Sequence, residues 1–439
     1  MRYVRDLLLR LLRLHDATSA ERWAALWTAI AFFCVLFAYY LLRPLRENVS
    51  FAFPQDDIVW LFALTFGLTT LLNQPYLALV RRLPSHRFLP YALHAFAASF
   101  LVLAIAFLGG DKNLGKLNWG DWHGRGHAFF YSWLTAFSVC GVTLVWVHAV
   151  EWFSLARGKR LFGLISVGGT LGAMAGSILS KRLAEQSYST MLCISAVTIE
   201  IGIVVWYRSL AACRVMAAGR VPEPPRRDGP SFLQGVRHVA ASPYLRGIAL
   251  FVLLSSICAT TFYYQRVALV RDNLLDDVGR RGIEADINFW QNALSLTLQL
   301  FFTSRALLWC GLSVVLCVMP CGSLLGLGAL ELWPIVGVYG LVEVLRRMAQ
   351  YAFDKPAREV LYTSLDQEGK YVSKAVIDTA GMRAGDVVGA LLNHVVFRFS
   401  GGSVVLAVAA PLCATWAFVG WWLGRACGRR EKEQRDAVG

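Results

Sequence analysis

The chain alternates between apolar blocks, each close to the ~20 residues a helix needs to cross a bilayer, and short polar connections. That rhythm decides what it can fold into. Hydrocarbon offers no partner to a peptide N–H or C=O, so a segment crossing it must pair those groups internally, as a helix does. Twelve blocks are read, at 23–46, 57–80, 88–109, 127–153, 160–180, 189–210, 244–270, 285–304, 306–327, 331–353, 373–397 and 402–424. Only 16% of the residues are charged, against roughly 25% in a soluble domain. Fifteen Trp and fifteen Tyr suit the aromatic belts at the two membrane interfaces. The expected fold class is an all-α membrane protein with twelve transmembrane helices.

The formal net charge of +14 would point to nucleic acid in a soluble chain. Here the basic residues gather in the connections after even-numbered spans: Arg81, Arg82 and Arg87; Arg157, Lys159 and Arg160; Arg220, Arg226, Arg227 and Arg237. Anionic lipid and the positive-inside bias account for them, so the expected partner is the bilayer and not nucleic acid. The same bias places both termini in the cytoplasm, with a bacterial inner membrane as the expected location. Lys112, Lys116, Arg280 and Arg281 are read as loop residues on the other face. Residues 1–22 alternate Arg and Leu without a cleavage site, as an interfacial amphipathic segment does. Ten Cys without a C-x-x-C, and His123 and His127 in a Gly-rich loop, give no expectation of a metal or cofactor.

Residues 213–243, with Pro222, Pro224 and Pro225, break the rhythm as a cytoplasmic linker. They separate an N-terminal six-helix bundle (23–212) from a C-terminal one (244–425), followed by a tail at 426–439. The halves echo each other. Gly168, Gly172 and Gly176 lie in the fifth span, and Gly381, Gly385 and Gly389 lie at the matching place in the eleventh. Glycine at every fourth position lines one helix face and lets a neighbouring backbone approach closely. Tyr39-Tyr40 followed by Arg43 is matched by Tyr263-Tyr264 followed by Arg266. Six spans return the chain to its starting side, so the repeats run parallel, the arrangement of major-facilitator transporters.

Ionisable groups inside spans cost about 2.5–3.5 kcal/mol each even on lenient scales, so they normally face a cavity or a partner. Arg43 and Arg46 flank Pro44 at three-residue spacing, suited either to anchoring at headgroups or to capture of carboxylate or phosphate. Pro44 is expected to bend or end the helix. Asn292 and Gln299, seven apart, share a face of the eighth span. Glu343, Arg346 and Arg347 form a self-neutralising cluster in the tenth. Beyond it the cytoplasmic mouth is dense in charge: Asp354, Lys355, Arg358 and Glu359, then Lys374, Asp378, Arg383 and Asp386. Ion pairs broken and remade during transport would explain that density, so Lys355, Arg358, Lys374, Asp378, Arg383 and Asp386 are read as gate or coupling residues, together with Glu151 beside His148.

The stretch YAFDKPAREVLYTSLDQEGKYVSKAVIDTAGMRAGD (351–386) resembles the signature of the ATP/ADP translocases and their bacterial relatives, as do LLRPLREN (41–48) and RGKRLFGLISVGGTLGA (157–173). The resemblance implies the major-facilitator fold and nucleotide exchange or uptake. Carried over, the span-1 lysine of those transporters falls on Arg46, which keeps the charge. Their acidic residue early in span 4 has no counterpart, since Trp133 and Leu134 stand there, and their span-11 lysine falls on Asp386, a reversal of charge. The loop 81–87 also lacks the Gly-Asp-Arg pattern of mainstream facilitators.

The sequence therefore gives the expectation of a secondary transporter exchanging a small anionic solute, a nucleotide or a related metabolite. Arg43, Arg46, Arg266, Asn292 and Gln299 are read as the substrate site, with Tyr39, Tyr40, Tyr263 and Tyr264 available to stack on a base. A proton-coupled carrier or lipid flippase, with Glu151 or Asp386 titrating, is the alternative. A membrane-embedded lipid-headgroup enzyme would need a metal-spacing motif, a Gly-x-Ser-x-Gly or a phosphate loop, and the sequence has none.

Overall fold

The structure, a computed structural model, describes residues 17–82, 85–108, 116–153, 155–217, 232–273, 276–362, 373–374, 376–400 and 405–436. Residues 1–16 of the N-terminal amphipathic segment, the Pro-rich stretch of the linker and residues 363–372 of the signature lie outside them, while residues 19–22 of that segment already belong to the first helix.

The described residues are helical almost throughout. Helix α1 (Ser19–Ala52) is followed by a 3-10 turn (Gln55–Asp57), α2 (Ile58–Arg82), α3 (Ser85–Ala106), α4 (Trp122–Trp152), α5 (Leu155–Arg182) and α6 (Tyr188–Met216). A short linker helix, α7 (Phe232–Ala241), leads to α8 (Pro243–Asn273), α9 (Asp277–Phe301) and α10 (Thr303–Leu332). Then α11 (Val336–Ala349) passes through a π turn (Gln350–Asp354) into α12 (Lys355–Leu361). A second π turn (Val376–Gly381) opens α13 (Met382–Ser400), and α14 (Val405–Asp436) ends the chain's helices.

Local chemistry sets several boundaries. Thr18 and Glu21 form a reciprocal capping box, each side chain accepting the other's backbone N–H at 3.2 and 3.0 Å, so α1 starts where the first apolar block begins. Asp121 and Ser187 cap α4 and α6 through Gly124 N and Thr190 N. Pro44 does not end α1, which continues to Ala52; inside a bundle the freed carbonyl and the ring are accommodated by neighbouring helices. Gly311, at φ +77°, breaks α10 near its start, a conformation that side chains rarely adopt.

Eight helices among the described residues are long and apolar enough to cross a membrane: α1, α3, α4, α5, α6, α8, α10 and α14, at the bounds Ser19–Ala52, Phe88–Ala106, Trp122–Trp152, Leu161–Arg182, Tyr188–Met216, Pro243–Val270, Leu308–Leu332 and Val405–Arg430. The remaining expected spans fall on α2, α9, α11–α12 and α13, which do not meet that measure of length and apolarity over the described residues, so it identifies eight spans and not twelve. The chain is an integral, multi-pass membrane protein.

The helices sort into two compact units. One holds residues 1–49, 68–227 and 276–292; the other holds 50–67, 228–275 and 293–439. Each thus includes a segment from the other half of the sequence. The first unit packs α3 along α6, with Phe100, Phe137 and Trp206 enclosed. In the second, α8, α10 and α14 share a core of Leu245, Ile248, Phe251, Leu316, Met319, Trp416 and Leu423.

The glycine repeats do equivalent work in the two units. A Cβ on Gly168, Gly172 or Gly176 would strike the carbonyls of Ala29, Phe33 and Phe37, so α5 lies against the bare backbone of α1. A Cβ on Gly385 would come within 2.6 Å of Ser256 Cβ, and one on Gly389 within 2.9 Å of Thr260 Cβ, so α13 lies against α8 in the same way. Gly381 differs. It sits in the π turn, its nearest neighbours are 3.9 Å from a Cβ, and it makes no close helix approach.

Candidate functional site

In the first unit the C-terminal turns of α1 turn Arg43 and Arg46 inward. Their side chains are 12% and 14% exposed, too enclosed to serve as headgroup anchors. Arg43 Nε lies 4.0 Å from Glu47 Oε1 and Arg46 Nη2 lies 3.6 Å from it. The Arg43 guanidinium sits 5.2 Å from the Tyr40 ring centre and 6.0 Å from that of Tyr39. Arg46 lies 4.5 Å over Tyr131 and donates to the hydroxyls of Tyr131 (3.2 Å) and Tyr39 (3.4 Å). Tyr39 and Tyr40 meet edge to face at 5.2 Å. These tyrosines hold arginines, a cation–π use of rings that the sequence offered for stacking on a base. One turn on, Asn48 donates to the Tyr188 hydroxyl, which donates to Leu45 O, tying α1 to α6.

The start of α9 belongs to the same unit and corrects the sequence reading. Arg280 and Arg281, expected in an outer loop, lie in helix, because α9 begins at Asp277 and not near 285. Asp277, Arg281, Glu284, Asn288 and Gln291 recur at steps of four and three and are all buried. Arg281 donates to Gln186 O at 3.1 Å and lies 5.8 Å from the Tyr188 ring. Asn292 and Gln299, the polar residues singled out in this span, continue the same face but are less enclosed than the stripe. Asn292 bonds back to Asn288 O, and Gln299 is exposed and donates to Tyr351 O. Asp277 to Gln291 is a helical polar stripe visible in the spacing, but its first members read as loop.

In the second unit Arg266 is 1% exposed, its guanidinium 4.3 Å from the Tyr263 ring centre and 5.4 Å from that of Phe51. Tyr264 is wholly enclosed. Across from α8, Glu343 of α11 accepts two hydrogen bonds from Arg346, at 2.8 and 2.9 Å, and one from Arg347 at 2.5 Å. Arg346 also lies 5.1 Å from the Phe262 ring, and Arg266 acts on Glu343 electrostatically. Three guanidiniums thus gather around one carboxylate. Burying them costs several kcal/mol per ion unless partners are close, which is why Glu343 is there.

The charges expected at a gate form separate pairs in this unit. Asp354 of the first π turn meets Arg358 at 3.0 Å. Lys374 pairs with Glu359, and Asp378 of the second π turn lies in the field of Arg358, Lys374 and Lys355. Higher in α13, Arg383 pairs with Asp386 at 3.0 Å, while Ser256 of α8 donates to Asp386 and to Met382 O. Asp386 is therefore committed to α8 and to its own helix. Glu151 is half-buried, and its neighbour His148 is enclosed, 3.3 Å from Ser209 Oγ, which lies 2.8 Å from Thr28 Oγ1. That cluster welds α1, α4 and α6. His127 shares its Nδ1 with His123 O and stacks on Phe107, and no group of three metal-ligating side chains occurs among the described residues.

Residues 296–427 match the family model described as TLC ATP/ADP transporter, which bears out the resemblance carried by 351–386. No curated protein matches the sequence at a significant level. Among solved structures the chain is similar to a bacterial homologue of the iron transporter ferroportin in an inward-facing state (TM-score 0.64, 12% identity, 93% of this chain and 100% of that one). It is also similar to a structure described as a bacterial metal transporter (TM-score 0.59, 11% identity, 93% and 99%). A third is a bacterial homologue of the human lysosomal transporter Spinster, inward-facing and unoccupied (TM-score 0.55, 12% identity, 94% and 95%). At these identities the likeness is one of fold, and the fold is that of the major-facilitator transporters. Fold and family match together identify a secondary membrane transporter.

Proposed function

We propose that this secondary transporter, whose C-terminal part matches the ATP/ADP transporter model, moves a small anionic solute of the nucleotide class by exchange. The observation that carries the reading is the gathering of guanidiniums inside apolar helices: Arg43 and Arg46 around Glu47 in one unit, and Arg266, Arg346 and Arg347 around Glu343 in the other. Buried guanidiniums resist the closed, dehydrated state that transport must pass through, and a bound anion lowers that resistance. Such a carrier returns loaded more readily than empty, which is exchange. Planar guanidiniums favour carboxylate or phosphate through paired hydrogen bonds.

Asp386, where a lysine would be expected from the resemblance, is paired with Arg383 and adds no free cation. A solute of lower charge than a nucleoside triphosphate follows from that. The ion pairs at 354–378 are the proposed gate on the cytoplasmic side, with both termini on that side in a bacterial inner membrane. The test is counterflow in proteoliposomes loaded with nucleoside mono-, di- or triphosphate, sugar phosphate or dicarboxylate. Uptake of labelled anion that depends on internal anion, and not on a proton gradient, is the expected result. Uptake that follows the proton gradient and ignores internal anion would replace this reading with a proton-coupled carrier.

A further inference from the structure

One pair of titratable side chains stands where the transport reading has no use for it. His94 of α3 and Glu200 of α6 meet at 2.9 Å on the outside of the first unit, 49% and 48% exposed. Glu200 lies about 18 Å along α6 from Tyr188 and about 24 Å from Met216, well inside the roughly 30 Å hydrocarbon layer. The surrounding face is apolar: Tyr91, Leu101, Val102 and Ile105 on α3, and Val197, Ile201, Val204 and Tyr207 on α6 are all exposed. A polar pair facing lipid at this depth is costly, because its remaining hydrogen-bonding capacity meets only acyl chains.

We propose that this α3/α6 face is a contact between two copies of the chain, centred on His94 and Glu200. The pair is self-complementary. His94 uses Nδ1 on Glu200 Oε1, which leaves the ring's Nε2 and the carboxylate's Oε2 pointing away from each other. A two-fold axis through the face brings the Nε2 of one copy to the Oε2 of the other, and the reverse, closing a ring of four groups in which each proton has an acceptor. A C2 contact needs that property: the same patch serves both sides. Ala95 and Ala98, both exposed beside His94, leave room for the backbones to approach. The ring closes where each pair carries two protons, as an imidazolium with a carboxylate or a neutral imidazole with a carboxylic acid.

The experiment counts subunits of the full-length protein in liposomes, by single-molecule photobleaching over a range of lipid-to-protein ratios. The wild type is expected to dimerise, with Glu200→Leu or His94→Leu weakening association about fivefold or more. The exchange His94→Glu with Glu200→His keeps the ring and should restore it. Ala98→Phe, which leaves the pair intact but fills the face, should also abolish dimers. A monomeric wild type at every ratio would overturn the proposal, leaving the pair as a stitch between α3 and α6. So would dimers that ignore these substitutions, which would place the contact elsewhere.

Discussion

The ends of α1 and α8 are equivalents in the two repeats, and they solve the same problem differently. Both present a tyrosine three residues before an arginine, Tyr40 to Arg43 and Tyr263 to Arg266, and in both the ring faces the guanidinium. Both helices are approached by a glycine helix, α5 or α13. The counter-charge, however, comes from different places. Arg43 finds Glu47 one turn along its own helix, at 4.0 Å. Arg266 works against Glu343 of another helix, already held by Arg346 and Arg347. A scaffold fixed by glycine contacts can thus keep its form while its charges diverge, with a nearby carboxylate drawn from the same helix in one unit and from another helix in the other.

The largest test of that contrast is Glu343→Gln. It leaves two enclosed guanidiniums without their carboxylate and should cost about 3–5 kcal/mol, read as a large fall in Tm in detergent. Glu47→Gln, with looser contacts of 3.6 and 4.0 Å, should cost about 1–2 kcal/mol. Equal losses would erase the proposed difference between the halves. Next come the glycines. Gly172→Ala drives a methyl into the Phe33 carbonyl, and should lose about 1–3 kcal/mol, with Gly385→Ala close behind. Gly381→Ala should change stability by less than about 0.5 kcal/mol, because nothing crowds that position. The smallest effect is expected at Lys181, which pairs with Asp286 at 2.6 Å but with both side chains about half exposed; Lys181→Ala should cost about 1 kcal/mol or less.

Much of this was legible in the sequence because membrane helices announce themselves by length and apolarity. The glycine stripes were legible too, since spacing by four is a property of any helix. Gly381 was misread because it shares that spacing but lies in a π turn, which shifts it off the contact face. The start of α9 was hidden for a related reason: Asp277, Arg280, Arg281 and Glu284 resemble a polar loop until Gln186 and Tyr188 are seen to enclose Arg281. Charge alone does not distinguish a loop from a helix that other helices shield. The orientation of Arg43 and Arg46 was undecided for the same cause, as anchoring and binding use the same residues at the same depth. The His94–Glu200 pair joins residues 106 apart and leaves no local trace.

The central claim is that buried guanidiniums meet an anionic cargo. It is tested most directly by measuring, on purified protein, the affinity for a nucleotide and for its uncharged nucleoside before and after Arg46→Gln and Arg266→Gln. The claim predicts that wild type prefers the nucleotide and that each substitution weakens its binding about tenfold or more, as expected for loss of a charge-assisted hydrogen bond, with the nucleoside unaffected. Equal binding of nucleotide and nucleoside by wild type, or a nucleotide affinity that neither substitution changes, would contradict it.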